Sequence, residues 1–215
     1  LKRLPAFMSL FCSSSEDPNQ SRAERMWGLQ MLCDGLADAS CYKLVTSCHA
    51  PELILSSFEN VRLSKASDEA KGAEICLLLG SLTSMIEHGE YGAHIHLIRR
   101  CGLLSWMSSV CSTRSIATAF PTERSRTSFC QLGNIVVEKV FCTPQLRSSE
   151  LIGEVCSLIQ PMVSLSLIKG ESREHSREVY QACFKTLTTI ANGLRNLRED
   201  NILCPDILPC HCPYS

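Results

Sequence analysis

Residues 68–87, Asp68-Glu69-Ala70-Lys71-Gly72-Ala73-Glu74-Ile75-Cys76-Leu77-Leu78-Leu79-Gly80-Ser81-Leu82-Thr83-Ser84-Met85-Ile86-Glu87, decide the fold class. Apolar side chains recur there at steps of three and four, the period of one helix face, and β-branched alternation is missing. Ala70, Ala73, Ile75, Leu77, Leu78, Leu82, Met85 and Ile86 spread around most of the circumference, so this helix is predicted to be buried on several sides. Ser67-Asp68-Glu69 supplies a cap and two carboxylates for its positive end, and Gly89 stops it.

The same period along the rest of the sequence predicts an all-α chain. Upstream, a helix is expected over 2–12, a polar loop over 13–20, and a helix to about 37 opened by the capping box Ser21-Arg22-Ala23-Glu24. Helices follow over 40–47 and 51–60, the latter with Pro51 in its first turn, and a loop over 61–66. Downstream, helices over 90–100 and 103–112 break at Gly102, and 113–123 reads as an exposed loop. A helix over 124–142 ends at Thr143-Pro144, a segment over 148–168 is kinked or split at Pro161, and a last long helix covers 172–197. Pro205, Pro209 and Pro213 make 201–215 an irregular tail, leaving 1–200 as one helical segment. The long helices are expected to start at 21, 67, 124 and 172, spacings of 46, 57 and 48 that approach the 40–47-residue unit of armadillo and HEAT arrays. An armadillo/HEAT-like α-solenoid of antiparallel helices is therefore the expected architecture, preferred to a four-helix bundle. The leading Leu1 is read as the start of a fragment of a larger protein.

Fourteen cysteines in 215 residues are unusual, yet most lie inside apolar helical runs such as Ile75-Cys76-Leu77 and Ala182-Cys183-Phe184. There a free thiol behaves as a small hydrophobe, which points to a reducing compartment. Twenty-one Lys and Arg against 22 Asp and Glu leave a net charge of -1, so no overall field draws the chain to nucleic acid or an anionic membrane. No apolar run reaches the 18 residues of a membrane span.

Chemistry-bearing motifs are sparse. No phosphate loop, Gly-x-Ser-x-Gly or His-Glu-x-x-His pattern occurs, so no catalytic residue, cofactor or small-molecule substrate is expected and the chain is read as no enzyme. His94 and His96 stand two apart, hence on different faces of a helix, a poor arrangement for shared metal ligation. In the tail, Cys204, Cys210, His211 and Cys212 offer thiolates and an imidazole, but one Cys-x-Cys arm and a distant cysteine fall short of paired zinc arms. No metal is expected. Arg99, Arg100, Arg114, Arg124 and Arg126 form the candidate RNA contact, each able to neutralise a phosphate.

Two stretches carry a family likeness. Arg25-Met26-Trp27-Gly28-Leu29-Gln30-Met31-Leu32-Cys33-Asp34-Gly35-Leu36 is followed by Asp38 and Tyr42; Gly92-Ala93 and Leu97-Ile98 precede Gly102-Leu103-Leu104-Ser105-Trp106-Met107. In this order they resemble the carboxy-terminal domain of the nucleolar pre-ribosomal-associated protein family, over about 20–112. The resemblance implies a segment of a large armadillo-like scaffold in the nucleus and nucleolus. Such a scaffold joins early large-subunit (60S) precursors and supports pre-ribosomal RNA processing, with pre-ribosomal particle proteins and pre-ribosomal RNA as candidate partners and no membrane. It supplies no catalytic residue. Trp27, Gly35, Leu36, Gly102, Leu103, Leu104 and Trp106 are its motif positions, and both tryptophans are expected to be core anchors. The alternatives are a directly RNA-binding helical module and an intracellular protein-interaction solenoid unrelated to ribosomes.

Overall fold

The computed structural model describes residues 18–36, 39–88, 92–112, 116–168 and 173–199. These residues are mostly helical and no strand occurs among them. The helices are α1 (Pro18–Gly35), α2 (Ala39–Ser47), α3 (Ala50–Leu63), α4 (Asp68–His88), α5 (Ala93–Ile95), α6 (Leu103–Ser112), α7 (Ile116–Ala119), α8 (Glu123–Cys142), α9 (Ser149–Ser157), α10 (Ile159–Ser166) and α11 (Arg173–Glu199). A π turn, His96–Arg100, continues α5, and a 3-10 turn, Pro144–Leu146, follows α8.

Most expected elements are present, with informative shifts at their ends. Pro18 lies in the first turn of α1, so Ser21 sits inside the helix, buried, rather than capping it. The capping box is instead at Thr122: its side chain accepts from the Ser125 N–H and the Ser125 hydroxyl accepts from the Thr122 N–H. Helix α3 runs on through Val61, which is buried, to Leu63. The expected loop after α6 contains the short helix α7, whose Ile116 and Ala119 are buried. Pro161 does not kink a continuous helix: the break falls at Leu158, and Pro161 sits in the first turn of α10, where its missing N–H costs no hydrogen bond. Gly102 separates α5 and its π turn from α6 at φ 64, a left-handed conformation that a side chain would strain.

Helix α1 packs on α4, α4 on α8, and α8 on α11. These four begin at residues 18, 68, 123 and 173, 50, 55 and 50 residues apart. Side-chain hydrogen bonds between elements keep that offset. Arg25 reaches Glu74, 49 residues on; His94 bonds Thr143, 49 on; Ser108 meets Ser157, 49 on; Thr189 reaches back 55 to Asn134. Among the shorter helices, α3 packs against α4 and α9 against α6. Much of the predicted apolar circumference of α4 is enclosed: Ile75, Leu78, Leu79, Leu82, Met85 and Ile86 are all buried, while Ala73 is exposed.

An aromatic chain joins the units. Phe58 meets Phe120 at 5.6 Å between centroids, Phe120 meets Phe129 at 4.4 Å, and Trp106 stands edge-on to Phe58 at 5.2 Å. Such pairs add about 0.5–1.5 kcal/mol each beyond area burial. Among the described residues no buried side-chain nitrogen or oxygen lacks a hydrogen-bond partner.

Candidate interaction surface

Four of the five candidate arginines, Arg99, Arg100, Arg124 and Arg126, lie among the described residues, and their surroundings differ. Arg99 and Arg100 close the π turn and are exposed. Arg99 lines a recess of about 360 Å³ together with Glu150 and Glu154. Arg124, also exposed, lines another recess of about 390 Å³ with Glu123 and Glu178. Arg126 turns inward: its Nε donates to the Phe120 carbonyl (2.9 Å) and its Nη2 to the Pro121 carbonyl (3.1 Å), tying down the turn before α8. Its role is structural, because carbonyls left free at a chain reversal need donors. Arg147 repeats the device on the Phe141 carbonyl at 2.9 Å. Arg114 lies outside the described residues, as do Cys204, Cys210, His211 and Cys212.

A small set of large apolar side chains is also exposed. Trp27 and Met31, one turn apart on α1, are 60% and 52% exposed, which corrects the expectation that Trp27 anchors the core. The reason is the side of α1 it occupies. Leu29, Leu32 and Leu36 face the core, and Trp27 lies off that stripe. At the far end of the row, Tyr180 and Phe184 on α11 are 54% and 60% exposed and stack on each other at 6.4 Å with ring planes 12° apart. Ile159, Val163 and Leu167 form a third exposed row, beside a groove of about 980 Å³ also lined by Cys111, Ile116 and Pro161. Sequence reasoning missed the α11 pair. The signal is there: the buried stripe runs Val179, Cys183, Thr186, Ile190, Leu197, and Tyr180 and Phe184 are aromatics one position off it.

The two histidines separate as their spacing requires. His94 Nε2 lies 3.1 Å from the Thr143 hydroxyl, and burial, aided by Lys139, lowers its pKa. His96 points elsewhere: its Nδ1 is 3.3 Å from Tyr42 Oη and 3.6 Å from Cys101 Sγ. Cys101 Sγ is in turn 3.7 Å from Glu52 Oε1. Burial and the Glu52 carboxylate push the Cys101 thiol up to about 12. Tyr42 donates to the Ala93 carbonyl (3.1 Å) and sets its ring edge-on to His96. No sequence motif announces this group. Glu52 lies far along the chain, and His96 and Cys101, five apart, converge only because the backbone makes a π turn.

The motif positions otherwise serve packing. Arg25 Nε and Arg22 Nε converge on Glu74 at 2.9 and 3.2 Å, and Glu74 is 1% exposed. Gly35 ends α1, Leu36, Leu103 and Leu104 are buried, and Trp106 is half-buried against Phe58 as expected. Among the described residues no helix is long and apolar enough to cross a membrane. Residues 1–106 match the model of the family described as nucleolar pre-ribosomal-associated protein 1, the family indicated by the two tryptophan-centred stretches. The match starts earlier than the expected region and ends at Trp106. No curated protein and no solved structure matches the chain.

Proposed function

We propose, taking the similarity of residues 1–106 to that family as the carrying observation, that this chain is a non-enzymatic segment of an armadillo/HEAT-like α-solenoid in a nucleolar ribosome-biogenesis factor. It supports assembly of early large-subunit precursors and pre-ribosomal RNA processing by presenting helix faces to other proteins of the particle. The recurring offset of about 50 residues supports the solenoid reading, since in such an array each unit bonds chiefly to its neighbour. Exposed Trp27, Met31, Tyr180 and Phe184 favour protein partners, because aromatic and Met side chains are enriched where protein surfaces meet.

Tagged chain expressed in cells should co-sediment with large-subunit precursors and concentrate in nucleoli. Tyr180→Ser with Phe184→Ser should leave the fold intact and shift the protein to free fractions. Sedimentation only as free protein, together with unchanged pre-ribosomal RNA after depletion of the endogenous factor, refutes the proposal. Direct RNA binding is the rival reading, through Arg99, Arg100 and Arg124. It requires affinity that falls steeply with salt and a slope that flattens when these arginines become alanine.

A further inference from the structure

We infer that Glu52, His96 and Cys101 form a binding site for a divalent transition metal ion of the zinc class. One ligand atom from each lies within 4.8 Å of the other two. Two of these separations can be set against the geometry of a bound ion. In a tetrahedral site with metal–sulfur distances near 2.3 Å and metal–nitrogen or metal–oxygen distances near 2.0–2.2 Å, neighbouring ligand atoms stand roughly 3.5 Å apart. Cys101 Sγ is 3.6 Å from His96 Nδ1 and 3.7 Å from Glu52 Oε1. One ion fits among them with little movement of the side chains.

The donor set selects the ion. A thiolate with an imidazole favours zinc, cobalt or copper over magnesium or calcium, which prefer oxygen alone. Binding forms a metal–sulfur bond as the Sγ–H bond breaks, and the proton leaves to solvent. No electron is transferred. Backbone holds the ligands in place: the Cys101 N–H donates to the His96 carbonyl (3.1 Å) across the π turn, and Gly102 at φ 64 ends that turn. Glu52 comes from the first turn of α3, after His49 in a left-handed conformation at φ 55. The Tyr42 ring, anchored by its hydroxyl on the Ala93 carbonyl and edge-on to His96, limits where the imidazole can turn. The ion would clamp the start of α3 to the turn before α6, and water would fill the fourth position.

The test uses the full chain, stripped with a chelator and titrated with Zn²⁺ or Co²⁺. One equivalent of Co²⁺ should give sulfur-to-cobalt charge-transfer absorption with the visible bands of a tetrahedral centre. Cys101→Ser, His96→Gln and Glu52→Gln should each weaken binding, the first by more than about 100-fold, beyond what losing an outer-shell partner costs. A chain with Cys204→Ser, Cys210→Ser and Cys212→Ser should keep the signal. Circular dichroism of each variant separates ligand loss from unfolding, and Zn²⁺ should raise the melting temperature of the native chain but not of Cys101→Ser. Absence of any cobalt–sulfur band, or a band that survives Cys101→Ser and vanishes with the tail substitutions, overturns the inference.

Discussion

The seam between α1 and α4 and the seam between α8 and α11 join long helices at a similar offset by opposite chemistry. At the first, Glu74 is buried under Arg22 and Arg25, and polar bonds continue along it: Ser84 Oγ donates to the Cys33 carbonyl (3.3 Å) and Ser81 Oγ to the Leu29 carbonyl (3.2 Å). At the second there is no charge in the buried line. Cys130 and Cys183 place their sulfurs 3.3 Å apart, Thr186 donates to the Cys130 carbonyl (3.0 Å), and Thr189 donates to Asn134 Oδ1 (2.8 Å). Gly193 lets the Phe141 ring lie directly on the helix backbone. A helix pair at one spacing can thus be fixed by a desolvated ion pair, which punishes loss of one partner, or by small and neutral residues, which punish added volume.

The largest expected effect tests the charged seam. Replacing Arg22 and Arg25 together by alanine strands the Glu74 carboxylate and should cost about 3–5 kcal/mol in denaturant unfolding. Adding Glu74→Leu should return most of that loss. A loss that persists in the triple variant would mean packing, and not charge pairing, governs the seam. Next comes volume at the neutral seam. A β-carbon on Gly193 would overlap the Phe141 ring, so Gly193→Val should cost about 1–3 kcal/mol, relieved in part by Phe141→Leu. Gly153→Ala, with nothing within 4 Å, should instead stabilise by about 0.5–1 kcal/mol as an internal control. Equal effects at the two glycines would end the close-packing account.

Thr189→Val should then cost about 1–2 kcal/mol by leaving buried Asn134 short of a donor, read as a shifted unfolding midpoint at constant slope. The smallest effect is a pH dependence. The Cys130 thiol is held above its ordinary 9.0 by its hydrogen bond with Cys183 and by burial; Cys33 in the charged seam is raised by burial. A raised folded-state pKa gives stability fully present below the ordinary value and lost as pH climbs past it. Stability should therefore decline above about pH 9, and Cys130→Ala should flatten that decline more than Cys33→Ala. The reverse order would exchange the roles of the two seams.

How much of this was readable beforehand differs by feature. The α4 stripe, the stop at Gly102 and the turn at Pro144 follow from period and punctuation, which act locally. Ser21 misled because a Ser-x-x-Glu pattern says where a helix can start, while the helix here already includes Pro18 three residues earlier. Trp27 misled because hydrophobicity states that burial is favourable without stating against what. Arg126 looked like a free cation and is consumed by two carbonyls of the preceding turn, a contact set by the path of the backbone. The Glu52, His96 and Cys101 group was not readable, since its members come from separate elements and meet through a π turn.

Local spacing is enough to make the described residues helical, to place most of the helices and to carry the family resemblance over about 20–112. Those properties depend on spacing along one segment, where neighbouring turns fix the outcome. Packing between helices settles which apolar face is covered, that Arg126 is taken up by backbone carbonyls, and which distant side chains converge. These depend on what packs beside each helix, and a residue's partner some 50 positions away leaves no mark on its own local pattern.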